Sequence, residues 1–168
     1  MKRWGLFLAM LLSVTVVLLP GVSGADEKIS GRFVQHNVKN EMVNVVGVPG
    51  HIKGVTHAAG LLFFANGEIG TTESNTMYDY VNGKGTWTTD RVFNHSDGST
   101  EFIKEIGTTT PVDGGKKSVY EGTYESTGGT GRFEGTMGKG TLKGERIGSR
   151  ETGSSSYVDF TGTVWKKK

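Results

Sequence analysis

Tyr120–Gly144 reads YEGTYESTGGTGRFEGTMGKGTLKG, and the fold turns on how its glycines are interpreted. Eight glycines fall within 25 residues, with Tyr, Thr, Phe and Leu between them at strand-like spacing. Glycine at this density fits a flexible tail, a phosphate loop, or the tight turns of a small β-barrel. A phosphate loop needs Gly, four residues, then Gly-Lys-Ser/Thr opening a helix. Here Gly138-Lys139 is followed by Gly140, and the first glycine of the motif would fall on Phe133. The dinucleotide fingerprint also fails, because Gly129-Thr130-Gly131 needs a third glycine where Glu134 stands. Disorder fails because aromatic and apolar residues recur along the run and give it surface to bury. Turns and coiled strands remain.

The flanking sequence has the same character. After residue 25 there is no sustained i, i+3, i+4, i+7 apolar pattern, whereas Thr, Val, Tyr, Phe and Gly abound between closely spaced turn pairs. The spacing predicts strands over Ile29–Val38, Met42–Val48, His51–Thr56 and Leu61–Ala65, with Pro49-Gly50 and Asn66-Gly67 as turns. It continues with Glu68–Thr72, Met77–Val81, Thr86–Asn94, Ser99–Thr109 and Ser118–Thr127, with a second Asn-Gly at Asn82-Gly83 and a turn over Pro111–Gly115. The last predicted strands are Arg132–Met137, Thr141–Ile147 and Ser156–Trp165, with Gly138-Lys139-Gly140 as a turn. Asn-Gly favours φ > 0 at both central positions and is the strongest short hairpin signal. Short connections make neighbouring strands antiparallel. The expected fold is therefore all-β, an antiparallel up-and-down β-barrel of about eight strands closed to remove its edges. A two-sheet sandwich is the alternative. Tyr120, Gly122 and Tyr124 share one strand face and Val119, Glu121, Thr123 and Glu125 the other. Trp87, Thr89, Arg91 and Phe93 share a face, as do Val158, Phe160, Gly162 and Val164. The alternation does not say which face is the lumen.

Residues 1–24 read as a signal peptide, which leaves 25–168 as a single domain. Lys2 and Arg3 precede an apolar run from Trp4 to Leu19, Pro20-Gly21 breaks it, and Val22-Ser23-Gly24 offers a cleavage site before Ala25. The run is short for a membrane span, although an uncleaved anchor is the alternative. The expected destination is periplasmic or extracellular, with no membrane span after cleavage. Without Lys2 and Arg3 the chain carries 17 basic against 17 acidic side chains, so the net charge of +2 belongs to the signal and gives no argument for nucleic acid. With no cysteine, the domain closes its core without disulfides.

Gly128-Gly129-Thr130-Gly131-Arg132-Phe133-Glu134-Gly135, preceded by Tyr120-Glu121-Gly122-Thr123-Tyr124, resembles a motif of the allene oxide cyclase-like and dirigent-like barrel group. The resemblance covers about residues 116–147 and is greatest to uncharacterised exported bacterial members. It implies a small, typically eight-stranded barrel. It carries no activity over, because neither the cyclase's nor the dirigent proteins' functional residues match position by position.

Candidate chemistry is sparse. His51 and His57 share a face of one strand, but a metal site needs a further ligand such as His36 or Glu68, so surface histidines are the simpler reading and neither a metal nor a cofactor is expected. Asn94-His95-Ser96-Asp97 is explained by turn hydrogen bonding. Glu121 and Glu125 lie about 13–14 Å apart at strand rise. They are solubilising groups if they face water; inside the lumen one would act as an acid or base with a raised pKa. Phe63, Trp87, Tyr120 and Tyr124 are the candidates for lining a ligand chamber, against the plainer reading that they fill the core. The leading expectation is a barrel that binds a small hydrophobic molecule. An isomerase or cyclase-like enzyme, or a ligand-free structural domain of the cell envelope, are the alternatives.

Overall fold

The computed structural model describes residues 26–148 and 154–167; the expected signal peptide lies outside them. Eight antiparallel strands, each hydrogen-bonded to the next, form a closed barrel: β1 Glu27–Asn44, β2 His51–Phe64, β3 Ile69–Val81, β4 Lys84–Asn94, β5 Thr100–Val112, β6 Lys117–Gly129, β7 Thr136–Ile147 and β8 Ser155–Lys166. β1 closes the barrel on β8, with Glu27 opposite Val164 and Phe33 opposite Val158. The sandwich alternative is thereby excluded. Among the described residues no helix is long and apolar enough to cross a membrane.

Several predicted strands fuse into longer ones. Ile29–Val38 and Met42–Val48 are one strand, β1, whose register slips between Asn37 and Lys39. That bulge lets Asn37 and Asn40 both serve the interior: Asn37 lines the lumen, and Asn40 Oδ1 accepts from Tyr78 Oη at 3.0 Å and from Thr56 Oγ1 at 2.8 Å. The chain turns over Val45–Gly50, so Val45–Val48 of the expected Met42–Val48 strand lie in the turn and β1 ends at Asn44. His51–Thr56 and Leu61–Ala65 are both parts of β2, and Glu68–Thr72 and Met77–Val81 parts of β3. The two Asn-Gly pairs differ. Asn82 and Gly83 both have positive φ, at 51° and 79°, as a type I′ hairpin requires. At the first pair only Gly67 does, and Asn66 Oδ1 accepts from the Glu68 amide at 3.0 Å.

The glycine-rich run contains one turn, not two. Arg132 and Phe133 sit in a short 3₁₀ turn, Gly131–Phe133, and strand resumes at Thr136. Gly138-Lys139-Gly140, predicted as a turn, lies inside β7. Its glycines answer a packing demand: a Cβ on Gly140 would lie 2.5 Å from Tyr124 Cε1. The same device seats Trp87, whose Cζ2 would be 2.4 Å from a Cβ on Gly107.

The lumen face is the one bearing Tyr120, Gly122 and Tyr124; Glu121 and Glu125 point outward into water, and Lys143 Nζ lies 3.0 Å from Glu121 Oε1. Alternate residues of all eight strands fill the barrel's waist, where Phe33, Phe93, Tyr124, Leu142 and Phe160 pack together. Phe93 and Phe160 centroids are 5.7 Å apart, and Tyr124 meets Phe160 edge-on at 6.1 Å. The waist is solid, and the barrel opens at both ends.

Candidate functional site

One end is framed by the turns after β1, β3 and β5. Its floor is a buried ion pair. Arg91 on β4 donates from Nε to Glu105 Oε1 at 2.6 Å and from Nη2 to Oε2 at 3.3 Å. Arg91 Nη1 donates to Gln35 Oε1 and Thr72 Oγ1, each at 3.0 Å. The guanidinium sits 4.0 Å over the Phe33 ring. Both side chains are almost wholly buried, at 3% and 4% exposed. A buried charge is tolerable only when its partners saturate it, and this one is met on every side. Above this floor lies a cavity of about 50 Å³ walled by Ala58, Tyr80, Trp87, Tyr120, Leu142 and Val158. By the measure that a water needs about 10–15 Å³ of such space, it accommodates a few waters or the tip of a ring. Trp87 meets Tyr120 edge-on at 6.5 Å, and the Trp87 Nε1 hydrogen is buried without an acceptor.

The opposite end is framed by the β2–β3, β4–β5 and β6–β7 turns, and it holds a cavity of about 460 Å³. Here His95, at the end of β4, has a fully buried imidazole stacked between Phe64, centroid 5.2 Å away, and Phe133, 4.4 Å away. His95 Nδ1 lies 2.8 Å from Glu68 Oε1, and the Arg132 guanidinium contacts both groups. On the far side His95 Nε2 faces Glu101 Oε2 at 4.0 Å, too far for a hydrogen bond. His95 Nε2 and Glu101 Oε1 are buried without a hydrogen bond. Burial pushes the Glu101 carboxyl above the usual carboxylate range, against the pull of the Ser126 hydroxyl and the Arg132 charge. Desolvation raises the Glu68 carboxyl too, but its bonds to Arg132 and His95 outweigh this and hold it below its ordinary value.

Of the four residues expected to line a ligand chamber, Trp87 and Tyr120 come together at the first end. Tyr124 sits deeper, in the waist, where burial chiefly and the Glu101 and Glu105 charges in addition push its hydroxyl pKa up. Phe63 does not line the interior: its strand alternation turns it to the outer face, 38% exposed, while Leu62 and Phe64 point inward. His51 and His57 have separate partners, with His51 Nε2 2.6 Å from Asp79 Oδ1 and His57 Nδ1 3.3 Å from Asn75 Oδ1. His36 Nδ1 lies 3.3 Å from Ser155 Oγ, and Glu68 is at the His95 end. Asp97 does make the expected turn bond, accepting from the Ser99 amide at 2.9 Å, but His95 beside it points into the barrel. Sequence reasoning missed Glu105, Glu101, His95 and Arg132 as members of interior clusters. One signal was available: Arg91 shares a face with Trp87 and Phe93, and an arginine on a buried face requires a carboxylate on a neighbouring strand.

Eight antiparallel strands around a packed waist define a closed up-and-down barrel, a fold shared with dirigent proteins. The solved structure of the pterocarpan synthase dirigent protein GePTS1 is similar to this chain with a TM-score of 0.50 at 16% identity, over 94% of this chain and 98% of that one. A second pterocarpan synthase dirigent protein, PsPTS1, aligns with a TM-score of 0.47 at 18% identity, over 84% of this chain and 97% of that one. At such identity the likeness is one of fold. No protein-family model matches the sequence, and no curated protein matches it.

Proposed function

We propose that the protein binds a small hydrophobic molecule at the Trp87 end, which admits one edge of the ligand while the rest stays at the mouth. The observation that carries this reading is the aromatic and aliphatic wall of Trp87, Tyr120, Ala58 and Leu142 over a floor of fixed polar groups. Such a chamber selects a flat apolar body, with the unpaired Trp87 Nε1 hydrogen offered to a single acceptor on it. Glu105 favours binding over proton-transfer chemistry at this end, because both its oxygens are held by Arg91. In this reading the ligand is met outside the cytoplasm, in keeping with residues 1–24 as an export signal.

Titration with 1-naphthol, followed through tryptophan emission, tests the reading. The expected result is saturable quenching that disappears in Ala58→Leu, whose side chain fills the chamber. Quenching that rises linearly without saturation in the wild-type chain overturns it.

A further inference from the structure

We infer that the His95–Glu101 end is a second, separate binding site, built for a neutral hydroxylated ring, that is, a carbohydrate. The inference starts from the two buried atoms that lack partners, His95 Nε2 and Glu101 Oε1. Buried polar groups are nearly always satisfied, so two orphans side by side in one cavity wall mark a place where a ligand supplies the bonds. Nε2 stands 4.0 Å from the other carboxylate oxygen, Glu101 Oε2, so one hydroxyl fits between imidazole and carboxylate and the bare Oε1 calls for a second donor beside it. An oxygen about 2.8 Å from each atom subtends an angle of about 90° between them, which a hydroxyl reaches by donating to one and accepting from the other. An ether or a carbonyl offers no proton to the carboxylate side.

The charge pattern, two cations among three carboxylates, favours neither sign of ionic ligand. The two cations at the rim are already engaged: Arg132 with Glu68, and Lys166 Nζ with the main-chain oxygens of Arg132 at 2.6 Å and Glu134 at 2.9 Å. Lys166 keeps its charge, because carbonyl oxygens do not neutralise it, but an anion drawn to it would also face Glu27, Glu68 and Glu101. An organic cation would sit against Arg132 and Lys166. What remains is a neutral molecule rich in hydroxyl donors, for which carboxylates and the Asn66 amide are suitable partners. Phe64, Phe133 and Trp165 supply flat apolar walls for the C–H face of a ring, and 460 Å³ is room for one or two sugar units. Both orphan atoms are covered. Binding therefore requires Phe133, which stacks on His95 and is carried on the turn between Gly131 and Gly135, to give way.

The test is a titration of the full chain with glucose, galactose and mannose, each read through the His95 imidazole proton resonances and the signal of sugar protons saturated from the protein. At least one sugar is expected to bind with Kd on the order of 1 mM and to shift the His95 signals. Glu101→Gln is expected to weaken that binding tenfold or more, and Ala58→Leu at the opposite end to leave it unchanged. Should Glu101→Gln fail to fold, Trp165→Ala at the rim must weaken the same sugar. The inference is overturned if no sugar shifts the His95 signals up to about 100 mM, far above any such Kd. It is equally overturned if cyclohexylammonium or cyclohexanecarboxylate binds there in preference, or if the variants bind sugar as tightly as the wild type. The 1-naphthol titration, repeated in Trp165→Phe so that the emission reports Trp87, reads the other end, so either site can fail alone.

Discussion

The two ends of the barrel solve the same problem in opposite ways. Each buries ionisable side chains beneath aromatic rings. At the Trp87 end the charge is saturated: Arg91 spends its donors on Glu105, Gln35 and Thr72, and its flat face on Phe33. At the His95 end one side of the imidazole is crowded by Glu68 and Arg132, while the other side and Glu101 Oε1 are bare. A saturated network fixes structure, whereas groups left bare in a cavity wall, Trp87 Nε1 at one end and His95 Nε2 and Glu101 Oε1 at the other, are competent to bind. Polarity alone therefore does not locate a site in this barrel; the decisive quantity is how much hydrogen-bonding capacity is left over.

The comparison is broken most severely by removing the saturated end's cation. Arg91→Met leaves Glu105 as an uncompensated buried carboxylate and is expected to lower stability by about 3–5 kcal/mol in urea unfolding. The double variant Arg91→Met with Glu105→Leu is expected to recover most of that loss; failure to do so would mean that the pair acts through packing. Next in size is the waist that divides the two ends. Gly140→Ala forces a methyl against Tyr124 and is expected to destabilise by about 1–3 kcal/mol on the same assay.

The His95 end is sharpened by pH. Glu101 has its folded-state pKa raised, so the native state keeps a proton that the unfolded chain releases above its ordinary value of 4.5. This group's contribution is thus fully present below that value and is lost as pH rises through the folded pKa. Unfolding free energies measured from pH 4 to 8 are expected to fall less steeply in Glu101→Gln than in the wild type; parallel curves would show that Glu101 does not titrate in this range. Smaller still is Tyr124→Phe, which deletes a buried hydroxyl without a partner. A gain of up to about 1 kcal/mol is expected, and a loss would reveal a hidden acceptor. Phe63→Ser on the outer face is expected to change stability by no more than about 0.5 kcal/mol.

The closed barrel was legible in the sequence because turn chemistry and alternation are local. Asn82-Gly83 announces its hairpin without help from the rest of the chain. The strand glycines were harder: Gly138 and Gly140 have the same letter as a turn glycine, and only their neighbours on the paired strands explain them, Val164 and Ser126 for the first and Tyr124 for the second. The ends were harder again. β5 carries Glu101 and Glu105 on its inner face and Phe102 and Ile106 on its outer one, an inversion of the usual pattern. Read alone, that strand points its carboxylates at water. Arg91 lies two strand positions from Glu105 on the paired register, and His95 meets Glu68 and Arg132 only because three turns gather at one rim. The first pairing depends on the β4–β5 register and the second on how the turns gather, and neither partner is named by the residues beside it in sequence. Phe63 shows the same ambiguity in reverse: in a run of four apolar residues, only the register decides which two face inward.

The pairing of Glu27 with Val164 also has a consequence in time. The first and last strands are neighbours, so seven strands form an open sheet with two bare edges until the eighth is in place. Contacts between such distant parts of a chain form slowly, and a sheet waiting for its last strand is exposed to pairing with another copy of itself. Truncation within β8 should therefore act as a switch between a sealed particle and a sticky one, and the final dozen residues govern solubility out of proportion to their number.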